Sequence, residues 1–113
     1  MPPRPPAPPA DRHRGPCPVQ AAIDAVGGKW AVRVVGRLAR GEARFGRLRS
    51  QVVGPGGAAV SSKVLAAELR RLVEAGLVER TEAGAAVVYR LTEKGRALVP
   101  VLDALGEWAA EGP

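Results

Sequence analysis

The stretch SSKVLAAELRRLVEAGLVERTEAGAAVVYRLT, residues 61–92, decides the fold. Leu65, Leu69 and Leu72 recur at the spacing that puts them on one helix face, Ser61 or Ser62 stands where a hydroxyl caps a first turn, and Gly76 falls where a helix closes. The runs LVERT and AVVYRLT follow, separated by the turn residues EAGA, and together they read as a β-hairpin. Away from the leucine stripe, Ser62, Lys63, Ala66, Ala67 and Arg70 offer only small or basic side chains, with nothing bulky to keep that face out of a groove.

Upstream, Phe45, Leu48 and Val52 mark a shorter amphipathic helix with Arg44, Arg47 and Arg49 on its outer face. It follows the short extended link EARF and ends at the glycine-rich VGPGGAA. Before it, Trp30, Ala31, Val34, Val35 and Leu38 line the inner face of another helix that carries Arg33, Arg37 and Arg40 opposite and stops at Gly41. The first helix shows Val19, Ala22, Ile23 and Val26 on one face, with Pro18 at the first helical position and Gly27 or Gly28 available for a left-handed close. The following Gly-Lys pair is not a phosphate-binding loop: no strand precedes it, no glycine stands five residues ahead, and Trp30 replaces the required Ser or Thr. Downstream, Thr92 can cap a last helix in which Leu98, Val101, Leu102, Leu105, Trp108 and Ala109 share a face. Pro100 lies inside it and predicts a kink near residues 96–99.

Three helices, a fourth joined to the third by a turn, and then a hairpin make the winged form of the helix-turn-helix, whose second helix enters the major groove of DNA. The expected fold class is mainly α with a small β-hairpin, and the full apolar stripes of the first and last helices, more than a domain of under 100 residues buries alone, point to dimerisation through its N- and C-terminal helices. Charge agrees with this reading. The 113 residues hold 17 Lys and Arg against 11 Asp and Glu, a net charge of +6. The distribution is uneven: residues 29–71 carry ten basic and two acidic side chains, whereas residues 72–113 carry four and seven. One part of the domain is therefore a basic footprint, a stronger sign of nucleic acid than bulk charge alone.

Eight of the eleven prolines fall in the first eighteen residues, so residues 1–16 read as a disordered, weakly basic arm and residues 17–113 as the folded domain. No segment has the apolar core of a secretory signal or the length of a membrane span, and the expectation is a soluble cytoplasmic protein. An enzyme is not expected, because no nucleophile has a base near it in sequence. Neither a metal nor a cofactor is implied: the single histidine, His13, and the single cysteine, Cys17, give two ligands at most.

The chain resembles the HxlR-type transcriptional regulators. The resemblance rests on CPV before the first helix, GGKW opening the second, RF and Leu48 in the third, VLAAELRRLVEAGLVER across the fourth into the wing, and YRLTEKGRAL with PVLDALGEWA at the end, covering residues 17–110. It implies a homodimer held by the first and last helices, with two recognition helices on a palindromic operator, usually as a repressor. Val19, Ile23, Leu98, Leu102, Leu105 and Trp108 are the expected dimer residues; Trp108, like Trp30, also reads as a packing residue. Two stretches depart from the family pattern: the linker at residues 54–59 is longer and richer in glycine, and the wing tip lacks the usual prolines and basic residues.

On helix 4, Ser62, Lys63, Ala67 and Arg70 are the expected readers of base edges or phosphates. Arg44, Arg47, Arg49 and Lys29 are expected to position the protein on phosphates, and Arg80 and Arg90 are the basic candidates of the wing. Some members of the family sense oxidants or electrophiles through a cysteine at this position. Cys17, beside the positive end of the first helix and close to Arg12 and Arg14, is the matching redox-sensing candidate, and an effector of another kind is left open. The alternative from a different class is a winged-helix module that binds protein, which an apolar face on helix 4 would have favoured.

Overall fold

The computed structural model describes residues 17–27 and 30–111. Expectations for the N-terminal arm, Gly28 and Lys29 fall outside the described residues. Along the chain run α1 (Pro18–Val26), α2 (Ala31–Leu38), β1 (Ala43–Arg44), α3 (Phe45–Gln51), a 3-10 turn (Pro55–Gly57), α4 (Ser62–Glu74), β2 (Val78–Ala83), β3 (Ala86–Leu91) and α5 (Glu93–Glu111). The hairpin is wider than expected. The two-residue β1, inside the link EARF, adds to β3 as a third antiparallel strand in the order β1-β3-β2, with Ala43 opposite Tyr89 and Arg44 opposite Val88.

The core is made where the apolar stripes meet. Val34, Val35 and Leu38 of α2, Leu48 of α3 and Leu65, Leu69 and Leu72 of α4 are buried together, closed by Val78 and Leu91 of the sheet. Each fully buried Val or Leu side chain stabilises the fold by roughly 1.5–3 kcal/mol relative to exposure. Ser61 is the cap of α4, its hydroxyl accepting from the Val64 amide at 3.1 Å. Gly76 then turns the chain at φ 78°, where a side chain would be strained. Gly27 does not supply a left-handed close for α1, since its φ is −74°.

Thr92 ties the wing to α5. Its hydroxyl donates to the Gly76 carbonyl at 2.6 Å and accepts from the Gly95 amide at 3.0 Å, capping the helix. That helix is continuous through Pro100. The long linker is also held. Gly54 N–H donates to the Ala58 carbonyl at 2.7 Å, Val53 bridges Ala59, and Arg33 Nη1 donates to the Val53 carbonyl at 2.9 Å. Gly54 is buried under the Trp30 ring, close enough that a Cβ there would clash with it, so the packing expectation for Trp30 holds and the ring seats the turn that leads into α4.

Candidate nucleic-acid interface

The face of α4 opposite the leucines is open along its length, because Ser62, Lys63, Ala66, Ala67 and Arg70 are all exposed while Leu65, Leu69 and Leu72 take the other side. A groove of about 260 Å³ runs between this helix and the wing, lined by Ala66, Arg70, Val73, Glu74, Arg80 and Tyr89. It brings Arg70 and Arg80 together, and it adds Tyr89, which β-strand periodicity alone does not single out. Register explains the meeting: Arg80 pairs with Tyr89 across the hairpin, two residues from the buried Val78–Leu91 pair, so both share the face that turns toward α4.

The arginines ahead of α4 divide. Arg44 is a strand residue at the N-cap of α3 with extended backbone rather than part of that helix's outer face. It lines a cleft of about 710 Å³ with Arg47, Arg37 and Glu42. Arg44 and the start of α3 also border a second cleft with Ala83, Ala85, Ala86 and Val87, so the first turn of α3 lies beside the wing tip. Arg49 is exposed on α3 and lines neither cleft. Lys29 lies outside the described residues.

In the wing, Arg90 donates to Glu79 at 2.9 Å and Arg80 reaches Glu82 at 3.4 Å. Such exposed pairs contribute only about 0.2–1 kcal/mol, yet each sets a carboxylate beside one of the two wing arginines and offsets its charge. The wing tip itself is the two-residue turn at Gly84 and Ala85.

The proposed dimer residues also separate into two groups. Leu98 and Leu102 are half-buried against the core of their own chain. Val19, Ile23 and Leu105 are exposed, and Trp108 is 74% exposed, so the packing expectation for Trp108 within one chain is wrong: residues 103–111, the last turns of α5, are all exposed. With Val101, these side chains form large exposed apolar groups on α1 and α5. Cys17 is exposed at the N-cap of α1, and its side chain makes no capping hydrogen bond. Among the described residues, no group of three His, Cys, Asp or Glu side chains could hold a metal ion, and no helix is long and apolar enough to cross a membrane.

Comparison with known proteins meets this geometry. Residues 25–112 match the model of the HxlR-like helix-turn-helix family. An HTH-type transcriptional regulator of Methanothermobacter thermautotrophicus is 36% identical over 95 residues, spanning 81% of this chain and 69% of that one. Among solved structures, the reduced form of the transcriptional regulator YodB from B. subtilis superposes with a TM-score of 0.74 at 30% identity, covering 87% of this chain and 95% of that one. The redox regulator HypR in its oxidised form gives 0.71 at 31% identity, covering 86% and 98%. A helix-turn-helix with an open basic recognition face, matched over most of its length by regulators of one kind, places the chain in the HxlR-like helix-turn-helix family of DNA-binding transcriptional regulators.

Proposed function

We propose that the protein is a homodimeric repressor of a palindromic operator, acting in the cytoplasm and without catalytic activity of its own. The observation that carries this reading is α4, where Lys63 and Arg70 stand among small residues on a fully exposed face opposite three buried leucines. Lys63 and Arg70 donate to guanine edges, Ser62 and Ala67 allow close approach, and Arg44, Arg47, Arg49 and Lys29 hold phosphates. Arg80 and Arg90 contribute less, since Glu82 and Glu79 sit beside them. A protein-binding winged helix is not favoured, because such a partner calls for an apolar α4 face.

Salt titration of duplex binding tests the assignment. Affinity should fall steeply with salt, with a log-log slope of about −0.9 for each phosphate neutralised. Arg47→Ala should reduce the slope by about one such contact and weaken all sequences alike, whereas Lys63→Ala should relax sequence preference by roughly 1–3 kcal/mol at one base pair. Binding that is absent at low salt, or indifferent to salt, removes the DNA reading.

A redox response is the second part of the proposal, supported by the exposed Cys17 at the start of α1 and by the redox regulator HypR among the structural neighbours. Two Cys17 thiols from the two copies give one disulfide, releasing two protons and two electrons to an oxidant such as diamide. A mixed disulfide with a small thiol is the other product open to a chain with one cysteine. Diamide should lower operator binding in the wild type, reductant should restore it, and Cys17→Ser should not respond. Equal loss in the serine variant, or none in the wild type, would exclude Cys17 and leave a different effector.

A further inference from the structure

Arg71 lies on the flank of α4, between the leucine face and the open face. Its Nε and Nη2 donate to Glu68 Oε2 at 3.0 and 2.6 Å, and its Nη1 donates to the main-chain carbonyl of Asp24 at 2.9 Å. Asp24 belongs to the last turn of α1, where carbonyls have no partner within the helix. The Glu68 side chain is only 11% exposed, so its carboxylate is held close to the protein and fixes the plane of the guanidinium.

Among the described residues, the rest of the seat of α1 is apolar. Ala22, Ala25 and Val26 face Ala75, Leu77, Ala97 and Leu98 across a cleft of about 240 Å³ that Lys94 also borders. No residue of α1 is fully buried. Apolar burial of this kind is non-directional, so a helix seated on small and aliphatic side chains can slide or roll by a small amount at little cost. A charged hydrogen bond to a single carbonyl, with its limits on distance and angle, removes that freedom.

We infer that Arg71, oriented by Glu68, is a positioning residue that locks α1 to the recognition helix and so sets the separation of the two recognition helices across the dimer. The inference rests on the dimeric, operator-binding reading given above. The path is short: α1 bears the exposed Val19 and Ile23 of the proposed seam on one side, and through Asp24 it holds α4 on the other. Recognition helices that meet successive major grooves must stand about 34 Å apart, and a roll of α1 relative to α4 alters that distance in both copies at once.

The test is selection of binding sites from a random duplex pool by the full chain, reading the distribution of spacings between half-sites. The wild type should recover palindromes of one dominant spacing. Arg71→Gln should recover spacings spread by one or two base pairs on either side and bind the wild type's best site about five- to tenfold more weakly, with an unchanged salt slope. Glu68→Gln should do the same to a smaller extent, and it carries the test if Arg71→Gln does not fold. The double variant should be no worse than Arg71→Gln alone, because both side chains act through one tie. Asp24→Asn should behave as wild type, since the tie uses the backbone carbonyl. A single retained spacing in both variants overturns the inference while leaving the dimer reading intact. A salt slope reduced by about 0.9 in Arg71→Gln also overturns it, marking Arg71 as a phosphate contact. A wild type that selects no palindrome overturns the dimer reading and this inference together.

Discussion

Gly95→Ala is expected to lower the midpoint of thermal unfolding by roughly 5–15 °C, although alanine is the better helix former by about 1 kcal/mol. Gly95 is the buried residue of α5, and a Cβ built on it runs into the carbonyl oxygen of Leu77, with the Leu77 carbonyl carbon and a Leu91 methyl also in close range. That carbonyl cannot step aside. It accepts from the Thr92 amide at 3.0 Å, and the Leu77 amide in turn donates to Leu72 at 3.0 Å. The added methyl must therefore push α5 off the wing or break the Thr92 cap, and overpacking against backbone costs about 2–3 kcal/mol, more than the gain in helix propensity. Gly36→Ala supplies the control. Gly36 is also within a helix, it is exposed, and a Cβ there meets nothing within 4 Å, so the same substitution should raise the midpoint. Differential scanning calorimetry of the two variants at equal protein concentration decides the point; a Gly95→Ala midpoint equal to or above wild type would show that α5 shifts freely on the wing.

Why some of this architecture is legible in the chain and some is not follows from the range of each signal. The leucine stripe of α4, its serine cap and its closing glycine act within a few residues of one another, and the helix and its open face follow from their spacing. The choice of Ser61 over Ser62 needs the backbone to place one hydroxyl near the Val64 amide. β1 is less accessible. An extended link of two residues becomes a strand only because β3, more than forty positions later, lies beside it. The wing arginines illustrate the same limit at the site: Arg90 meets Glu79 because the hairpin register puts them opposite each other, and that register depends on a two-residue turn. The role of Arg71 has no signature in the chain for a further reason, since its partner on α1 is a main-chain carbonyl, a group every residue carries. On α5, the apolar pattern marks one face but does not say how much of it packs within the chain. Leu98 and Leu102 turn out to pack within the chain, whereas Val101, Leu105 and Trp108 are left outside it.

Those outer residues make Leu105→Asp the most disruptive surface substitution expected in the protein. Leu105 is 54% exposed in the single chain, so an aspartate there meets water and takes almost nothing from the core; the monomer should fold, with helical content close to wild type. In a dimer sealed by α1 and α5, the same carboxylate would be buried among the apolar side chains of that seam. An unpaired buried charge costs several kcal/mol, and a symmetric interface pays it twice. Sedimentation should therefore show dimers for the wild type and monomers for Leu105→Asp at micromolar concentration. Operator binding should weaken by roughly 10²–10⁴, the advantage that two linked half-site contacts hold over one. The salt dependence should fall with it, since each free copy neutralises about half the phosphates. Asp103→Asn, two residues away on the same helix, changes charge without entering the apolar row and should leave all three measurements unchanged. A folded Leu105→Asp protein that still sediments as a dimer and binds the operator as tightly as wild type would move the seam away from α5, and the exposed Trp108 would then need a different partner to cover it.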